Sequence, residues 1–97
     1  MAKATVDGVV VAESDNTQLV EGNVYFPRDS VKMELFSHSP TPYTCPWKGV
    51  AEYFNASVNG KEINDIAWSY PSPKEAAKNI AGHLAFDKRK GVQISEG

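Results

Sequence analysis

The dipeptide Asn59-Gly60 constrains the fold of this chain more than any other pair of residues. Both residue types tolerate the positive φ angles of a two-residue hairpin turn. The flanking segments, residues 47–58 and 61–70, are rich in aromatic and β-branched side chains, as strands are. We therefore predict a long β-hairpin here, with Val58 opposite Lys61 next to the turn.

The predicted register sorts the hairpin side chains onto two faces. It places Phe54 opposite Asp65, Tyr53 opposite Ile66 and Ala51 opposite Trp68. One face then carries Ala51, Tyr53, Asn55, Ile66, Trp68 and Tyr70, and the other carries Val50, Glu52, Phe54, Ala56, Ile63, Asp65 and Ala67. The three rings of the first face fit either a core or the floor of a ligand pocket. Their large burial energy favours the core.

Two further dipeptides ending in glycine predict shorter hairpins. Asp7-Gly8 separates residues 2–6 from 9–12, and Glu21-Gly22 separates residues 17–20 from 23–26. Pro27 ends the second hairpin because it has no N–H to donate. Residues 91–95 form a closing strand in this interpretation.

The remaining segments predict helix and irregular structure. Residues 27–36 predict a short helix. Residues 37–42 predict an irregular connection, because they contain two prolines. Ser72, Pro73 and Glu75 form a helix start of the capping-box type, so we predict one main helix from Pro73 to about Ile80 or His83. Together these elements describe one domain over residues 1–97, a β-rich α+β fold with a small, mostly antiparallel sheet.

Charge and cysteine content limit the function classes. A net charge of −2 argues against a nucleic-acid-binding module, and the basic run at residues 88–90 reads as a solvated turn. A single cysteine excludes an intrachain disulfide and the usual zinc sites, and it fits a reducing cytoplasm. The N-terminal residues lack a signal-peptide core, and no apolar run reaches membrane-spanning length. We expect a cytoplasmic protein without metal, nucleic-acid or membrane partners, whose exposed sheet edges would suit a homodimer.

The segment Thr44-Cys45-Pro46-Trp47-Lys48-Gly49 holds the first candidate site residues. The Lys48 ammonium would favour the Cys45 thiolate, and His83 could act as its base, whereas the alternative is an inert buried thiol. Lys48 and Gly49 could bind an anionic ligand, or Lys48 could be an ordinary solvated residue. Neither pair of alternatives is decided by the residues alone.

Other charged residues also have two interpretations. Arg28 could hold a carboxylate or phosphate of a ligand, or pair with Asp29 or Glu34. Glu52 and Asp65 lie diagonally on one predicted face, where paired carboxylates suit acid–base chemistry or simply face solvent.

Several separated motifs resemble one bacterial family, catalogued as domain of unknown function 427. The motifs are residues 44–53 (TCPWKGVAEY), 67–73 (AWSYPSP) and 80–86 (IAGHLAF), together with residues 25–27 (YFP) and Val31. The resemblance implies a β-tent-like fold similar to methionine sulfoxide reductase B domains without their zinc cysteines. Family members are sometimes labelled nucleotidyltransferases, so the resemblance implies that label. Many relatives carry a tyrosine after the position of Phe86, where this chain has Asp87.

The family motifs coincide with the residues singled out above. The positions carried over are Cys45, Lys48, Gly49, Tyr53, Trp68, Tyr70 and His83. The first hypothesis is a pocket for a flat, anionic ligand, in which Lys48 and Arg28 stabilise negative charge and the rings of Tyr53, Trp68 and Tyr70 stack on the ligand. The second is a non-catalytic interaction domain in which the same residues are structural. The cofactor, if any, is not indicated by the sequence.

Overall fold

A computed structural model describes residues 1–96, which are dominated by antiparallel β-strands. The strands, numbered β1 to β9, are Ala2–Val6, Val9–Ser14, Gln18–Val20, Asn23–Tyr25, Phe36–Cys45, Gly49–Val58, Lys61–Ser69, Leu84–Phe86 and Val92–Glu96. They form a three-stranded sheet in the order β2-β1-β9, the two-stranded β3-β4 hairpin, and a four-stranded sheet in the order β5-β6-β7-β8. The prediction of a β-rich, mostly antiparallel fold is confirmed, while the β-tent likeness stays a prediction.

All three predicted hairpins form around the dipeptides that predicted them. Both central residues of each turn have positive φ, with values of 51° and 80° at Asp7-Gly8 and 51° and 77° at Asn59-Gly60. The closing strand also forms, and β9 pairs with β1. These turns are local, so the residue types at each turn were sufficient to locate them.

The predicted register of the long hairpin is correct only near its turn. Ala56 lies opposite Ile63 as expected, but Phe54 lies opposite Ala67 and Tyr53 opposite Trp68, two residues further along β7. The cause is an irregularity at Asp65, which has a φ of 55° and donates its backbone N–H to the Asn55 side chain (2.9 Å) rather than to the ladder. Because the shift is two residues, Tyr53 and Trp68 still share a face.

The predicted main helix is wrong. Residues Glu75–Ile80 form a six-residue 3₁₀ segment that is interrupted at Ala77. Its start is tied to another loop, since the Lys74 N–H donates to the Lys48 carbonyl (2.9 Å), and its exit is drawn into sheet pairing at Ala81 and Leu84. Because these tertiary contacts hold the residues on both sides, only the six residues Glu75–Ile80 remain, and an α-helix of that length is marginally stable.

Two shorter segments also differ from expectation. The predicted helix over residues 27–36 is reduced to the 3₁₀ turns Arg28–Ser30 and Met33–Leu35. Residues 37–42, predicted to be irregular, belong to β5. Strand β5 lies at the edge of its sheet and bulges between Ser39 and Pro42, which is how a strand accommodates proline. No helical segment among residues 1–96 has the length and apolar character needed to cross a membrane.

The four-stranded sheet carries a core on each face. One core packs this sheet against the three-stranded sheet and includes Val6, Val11, Phe54, Leu84 and Phe86. The other core lies on the opposite face and contains Tyr25, Cys45, Ala51, Tyr70, Ala77, Ile80 and Ala85. The β3-β4 hairpin reaches this second face, where Tyr25 packs against Trp68.

Candidate functional site

Four aromatic side chains follow one another across the second face, and we call them the aromatic row: Tyr43, Tyr53, Trp68 and Tyr25. Neighbouring ring centroids are 6.5, 6.2 and 6.5 Å apart. The indole N–H of Trp68 donates to the Tyr25 hydroxyl at 3.1 Å. Exposure falls along the row, from 48% at Tyr43 to zero at Tyr25. The row therefore runs from solvent into the core.

A cavity of about 330 Å³ opens beside the middle of this row, and we call it the ring pocket. It is lined by Asn23, Tyr53, Trp68, Phe86, Asp87, Lys88 and Arg89. Strand β8 leads directly into the 3₁₀ turn Lys88–Lys90, and this turn brings two basic side chains to the pocket. The ring pocket thus combines aromatic surface with two basic side chains and the Asp87 carboxylate.

The Asp87 carboxylate holds Arg89 at the pocket. Two nitrogens of the Arg89 guanidinium donate to the two oxygens of Asp87, at 3.0 and 2.9 Å, and the Arg89 backbone N–H adds a third bond at 3.0 Å. The guanidinium holds the pKa of Asp87 below its usual value. The Arg89 side chain is 89% exposed, so it stays accessible to a ligand.

The Lys48 side chain lies in a second cluster, on the same face, and is only 8% exposed. Its ammonium forms an ion pair with Glu21, whose other carboxylate oxygen accepts the Trp47 indole N–H at 3.2 Å. The ammonium also lies 5.0 Å from the Trp47 ring centroid and 5.4 Å from that of Tyr70. Burial lowers the pKa of Lys48, but the Glu21 carboxylate together with the nearby Tyr25 and Cys45 groups brings it above its usual value, so the lysine stays charged.

The Cys45 thiol is buried beside Lys48 and belongs to the second core. Burial raises its pKa, but the backbone N–H groups of Lys48 and Trp47 and the Lys48 charge together bring the pKa below its usual value. The Tyr70 ring packs in the same core, and burial raises the pKa of its hydroxyl far above the usual range. Gly49 has a φ of 110° and lies under the backbone of residues 72–74.

Two predicted site residues lie elsewhere. The Nδ1 atom of His83 is 3.1 Å from the Ala81 carbonyl oxygen. Arg28 pairs with Glu52 at 3.2 Å and lies over the Phe54 ring, on the first face of the sheet rather than beside the aromatic row. Its partner is therefore neither Asp29 nor Glu34, which had been the expected alternatives.

The two carboxylates predicted to be neighbours are separated by the irregularity in β7. Glu52 lies near Arg28 and His38, whereas Asp65 accepts hydrogen bonds from Ser39 (2.5 Å) and Thr41 (2.8 Å). Within residues 1–96, no group of three His, Cys, Asp or Glu side chains could hold a metal ion.

The structure therefore divides the predicted site into two parts. Tyr53 and Trp68 line the ring pocket, while Cys45, Lys48 and Tyr70 form a separate buried cluster. Sequence reasoning did not find Glu21, Asn23, Asp87 or Arg89. The basic run at residues 88–90 was the available signal for Arg89, but charge runs are usually solvated and it was interpreted that way.

Comparison with known protein families shows to which family this chain belongs. A family model described as Domain of unknown function (DUF427), with the short name NTP_transf_9, matches residues 1–96. The chain belongs to the DUF427 family. The resemblance inferred from the motifs is thus confirmed, and the DUF427 match includes both the ring pocket and the Lys48 cluster. A search of curated proteins found no match.

Proposed function

We propose that this protein binds a small ligand that carries a flat ring and an anionic group, in the ring pocket. The observation that carries this proposal is the meeting of Tyr53 and Trp68 with Lys88 and Arg89 around one cavity of about 330 Å³. Pockets of about 300–1,000 Å³ lined by rings and a few polar groups are typical of small-molecule sites. The ring of the ligand would contact the aromatic floor, and its anion would pair with Arg89.

Nucleotides are the first ligand class to test. The short name of the family refers to nucleotide transfer, and a nucleotide combines a flat base with phosphate. The pocket is at the lower end of the usual size range, so a mononucleotide suits it better than a larger ligand. The proposal concerns binding, and no transfer step is assigned to any residue.

A second candidate function is an interaction domain in which the motif residues only stabilise the fold. The burial of Cys45 and Tyr70 and the internal pairing of Lys48 favour it. It differs from the first candidate in one respect, since it requires no response to any small ligand.

The test is a thermal-shift titration with AMP and adenosine. We expect AMP to raise the melting temperature more than adenosine does, because only AMP can pair with Arg89. Arg89→Ala should remove most of that difference. Arg28→Ala is the matched control, because Arg28 is also an exposed arginine in an ion pair but lies on the other sheet face.

Two results would count against the pocket. One is the absence of a shift with AMP and with the other nucleoside monophosphates. The other is an equal loss in the Arg28→Ala and Arg89→Ala variants, which would point to non-specific charge attraction. Either result would favour the interaction domain.

A further inference from the structure

The turn at Glu21-Gly22 differs chemically from the other two hairpin turns. In all three turns both central residues have positive φ, with 54° and 78° at Glu21-Gly22. The first position is occupied by Asp7 and Asn59 in the other two turns, and such short polar side chains tolerate this conformation by bonding locally. A glutamate lacks that advantage and is placed there at a conformational cost. We therefore expect the contacts of the Glu21 side chain to compensate for this conformational cost.

The Glu21 carboxylate is bound by two donors, one for each oxygen. Lys48 Nζ pairs with Oε1, and Trp47 Nε1 donates to Oε2 at 3.2 Å. We call these two donors the anion cradle. A charged donor and a neutral donor directed at two oxygens are a suitable arrangement for any carboxylate or phosphate.

The two donors of the anion cradle are held by the rest of the protein, whereas Glu21, which accepts from them, lies at a more exposed hairpin turn. The Lys48 side chain is 8% exposed and lies against the rings of Trp47 and Tyr70, but the Glu21 side chain is 50% exposed. Lys48 is also anchored through its backbone, since its carbonyl accepts the Lys74 N–H. The donors are thus preorganised, and the acceptor approaches them from the solvent side.

The short hairpin that carries Glu21 would allow this side chain to leave the anion cradle. Strands β3 and β4 have three residues each and pair only with one another, so no neighbouring strand of residues 1–96 holds the turn between them in place. Its base is fixed by two backbone hydrogen bonds between Phe26 and Leu84, at 2.7 and 2.8 Å. Movement of the turn away from the cradle would therefore leave the base in place.

We propose that the anion cradle of Lys48 and Trp47 is a binding site for the carboxylate or phosphate of an external ligand, and that Glu21 is an internal occupant which this oxyanion displaces. A buried lysine needs a partner, because an unpaired charge in a protein interior is costly. Replacement of one oxyanion by another keeps Lys48 paired throughout. The site is distinct from the ring pocket, so this inference goes beyond the proposed function.

The two tryptophans allow a direct test by NMR of the indole N–H groups. Each indole has a known partner, Glu21 for Trp47 and Tyr25 for Trp68, and Trp47→Phe assigns the two signals. Phosphate and acetate are titrated in turn into wild-type protein and into Glu21→Ala, at constant ionic strength set with potassium chloride. The Trp68 signal is the internal control.

We expect phosphate or acetate to move the Trp47 signal saturably in Glu21→Ala. In wild-type protein the apparent affinity should be weaker by about ten-fold or more, because Glu21 occupies the cradle most of the time. Lys48→Met in the Glu21→Ala background should abolish the saturable response. A response to phosphate alone would indicate a phosphoryl ligand, and a response to acetate alone would indicate a carboxylate.

The proposal is overturned if neither oxyanion saturates the Trp47 signal of Glu21→Ala, or if the Lys48→Met double variant responds equally. Glu21→Gln provides a second variant if Glu21→Ala does not fold, since its amide keeps the size of the side chain and loses the charge. The same criteria apply to Glu21→Gln, because a saturable response that its Lys48→Met double variant lacks supports the site and no response contradicts it. The AMP experiment depends on Arg89, so the two proposals can fail separately.

Discussion

The two faces of the four-stranded sheet bury side chains of different chemistry. The first face packs Phe54, Leu84 and Phe86 against the apolar side chains of the three-stranded sheet. On the second face a short hairpin, which contributes Tyr25, and a 3₁₀ segment pack over Tyr70 and Cys45. One face is held mainly by non-directional burial of apolar surface, and the other also depends on directional hydrogen bonds.

The two faces also differ in how their buried polar groups are hydrogen-bonded. On the second face the indole of Trp68 is bonded to Tyr25, and that of Trp47 to Glu21. On the first face Ser69 is cross-strand to Glu52 and Leu84, and its Oγ is the one buried side-chain polar atom of residues 1–96 without a hydrogen-bond partner. The first face thus supplies stability, while the second positions polar groups and rings where a ligand could use them.

The largest effect in this comparison is expected from Phe54→Ala on the first face. The side chain is 1% exposed, and truncation of a buried phenylalanine to alanine costs about 3–5 kcal/mol in free energy of unfolding. Urea denaturation measures it. Tyr43→Ala removes a half-exposed ring at the outer end of the aromatic row and should cost much less. Equal losses would mean that the first face is not the main source of stability.

A smaller effect is expected from Tyr25→Phe on the second face. The substitution keeps the ring and removes the hydroxyl that accepts the Trp68 indole N–H. Loss of a partner for a buried donor costs about 1–3 kcal/mol, and Trp68 is partly exposed, so the lower half of that range applies. Urea denaturation and the Trp68 indole NMR signal check it together. An unchanged indole signal would show that this hydrogen bond is absent in solution.

The smallest effect is expected at the rim of the second face, from Asp65→Asn. The hydroxyls of Ser39 and Thr41 donate to the Asp65 carboxylate and hold its pKa below the ordinary value of 3.8. Because the folded-state pKa is depressed, this stabilisation is present above the unfolded pKa and is lost as pH falls through the folded value. The difference in melting temperature between wild type and Asp65→Asn should therefore be largest at neutral pH and shrink below about pH 4.

The matched control for that pH profile is Ser39→Ala, which removes one of the two donors. It should reduce the pH-dependent part of the difference without abolishing it, since Thr41 remains. A difference that stays constant from neutral to acidic pH would show that the carboxylate does not depend on these hydroxyls.

Sequence reasoning succeeded where structure is decided by neighbouring residues. Asn59-Gly60 located the long hairpin, and the strand pattern placed Tyr53 and Trp68 on one face. It failed at Asp65, which adopts a positive φ and forms hydrogen bonds with Asn55, Ser39 and Thr41. These three partners lie on other strands, so the local sequence does not indicate them. The main helix failed for the same reason, since Lys74 bonds to the loop at Lys48.

The candidate site shows the same division. The sequence by itself determined that Lys48, Tyr53 and Trp68 lie around the long hairpin, because turn chemistry and strand periodicity act over a few residues. Only the tertiary structure decided that Glu21 would bind Lys48 and that Arg89 would reach the ring pocket. Such pairings depend on how distant strands pack, and a single charged residue carries no local signal of the partner that packing will bring to it.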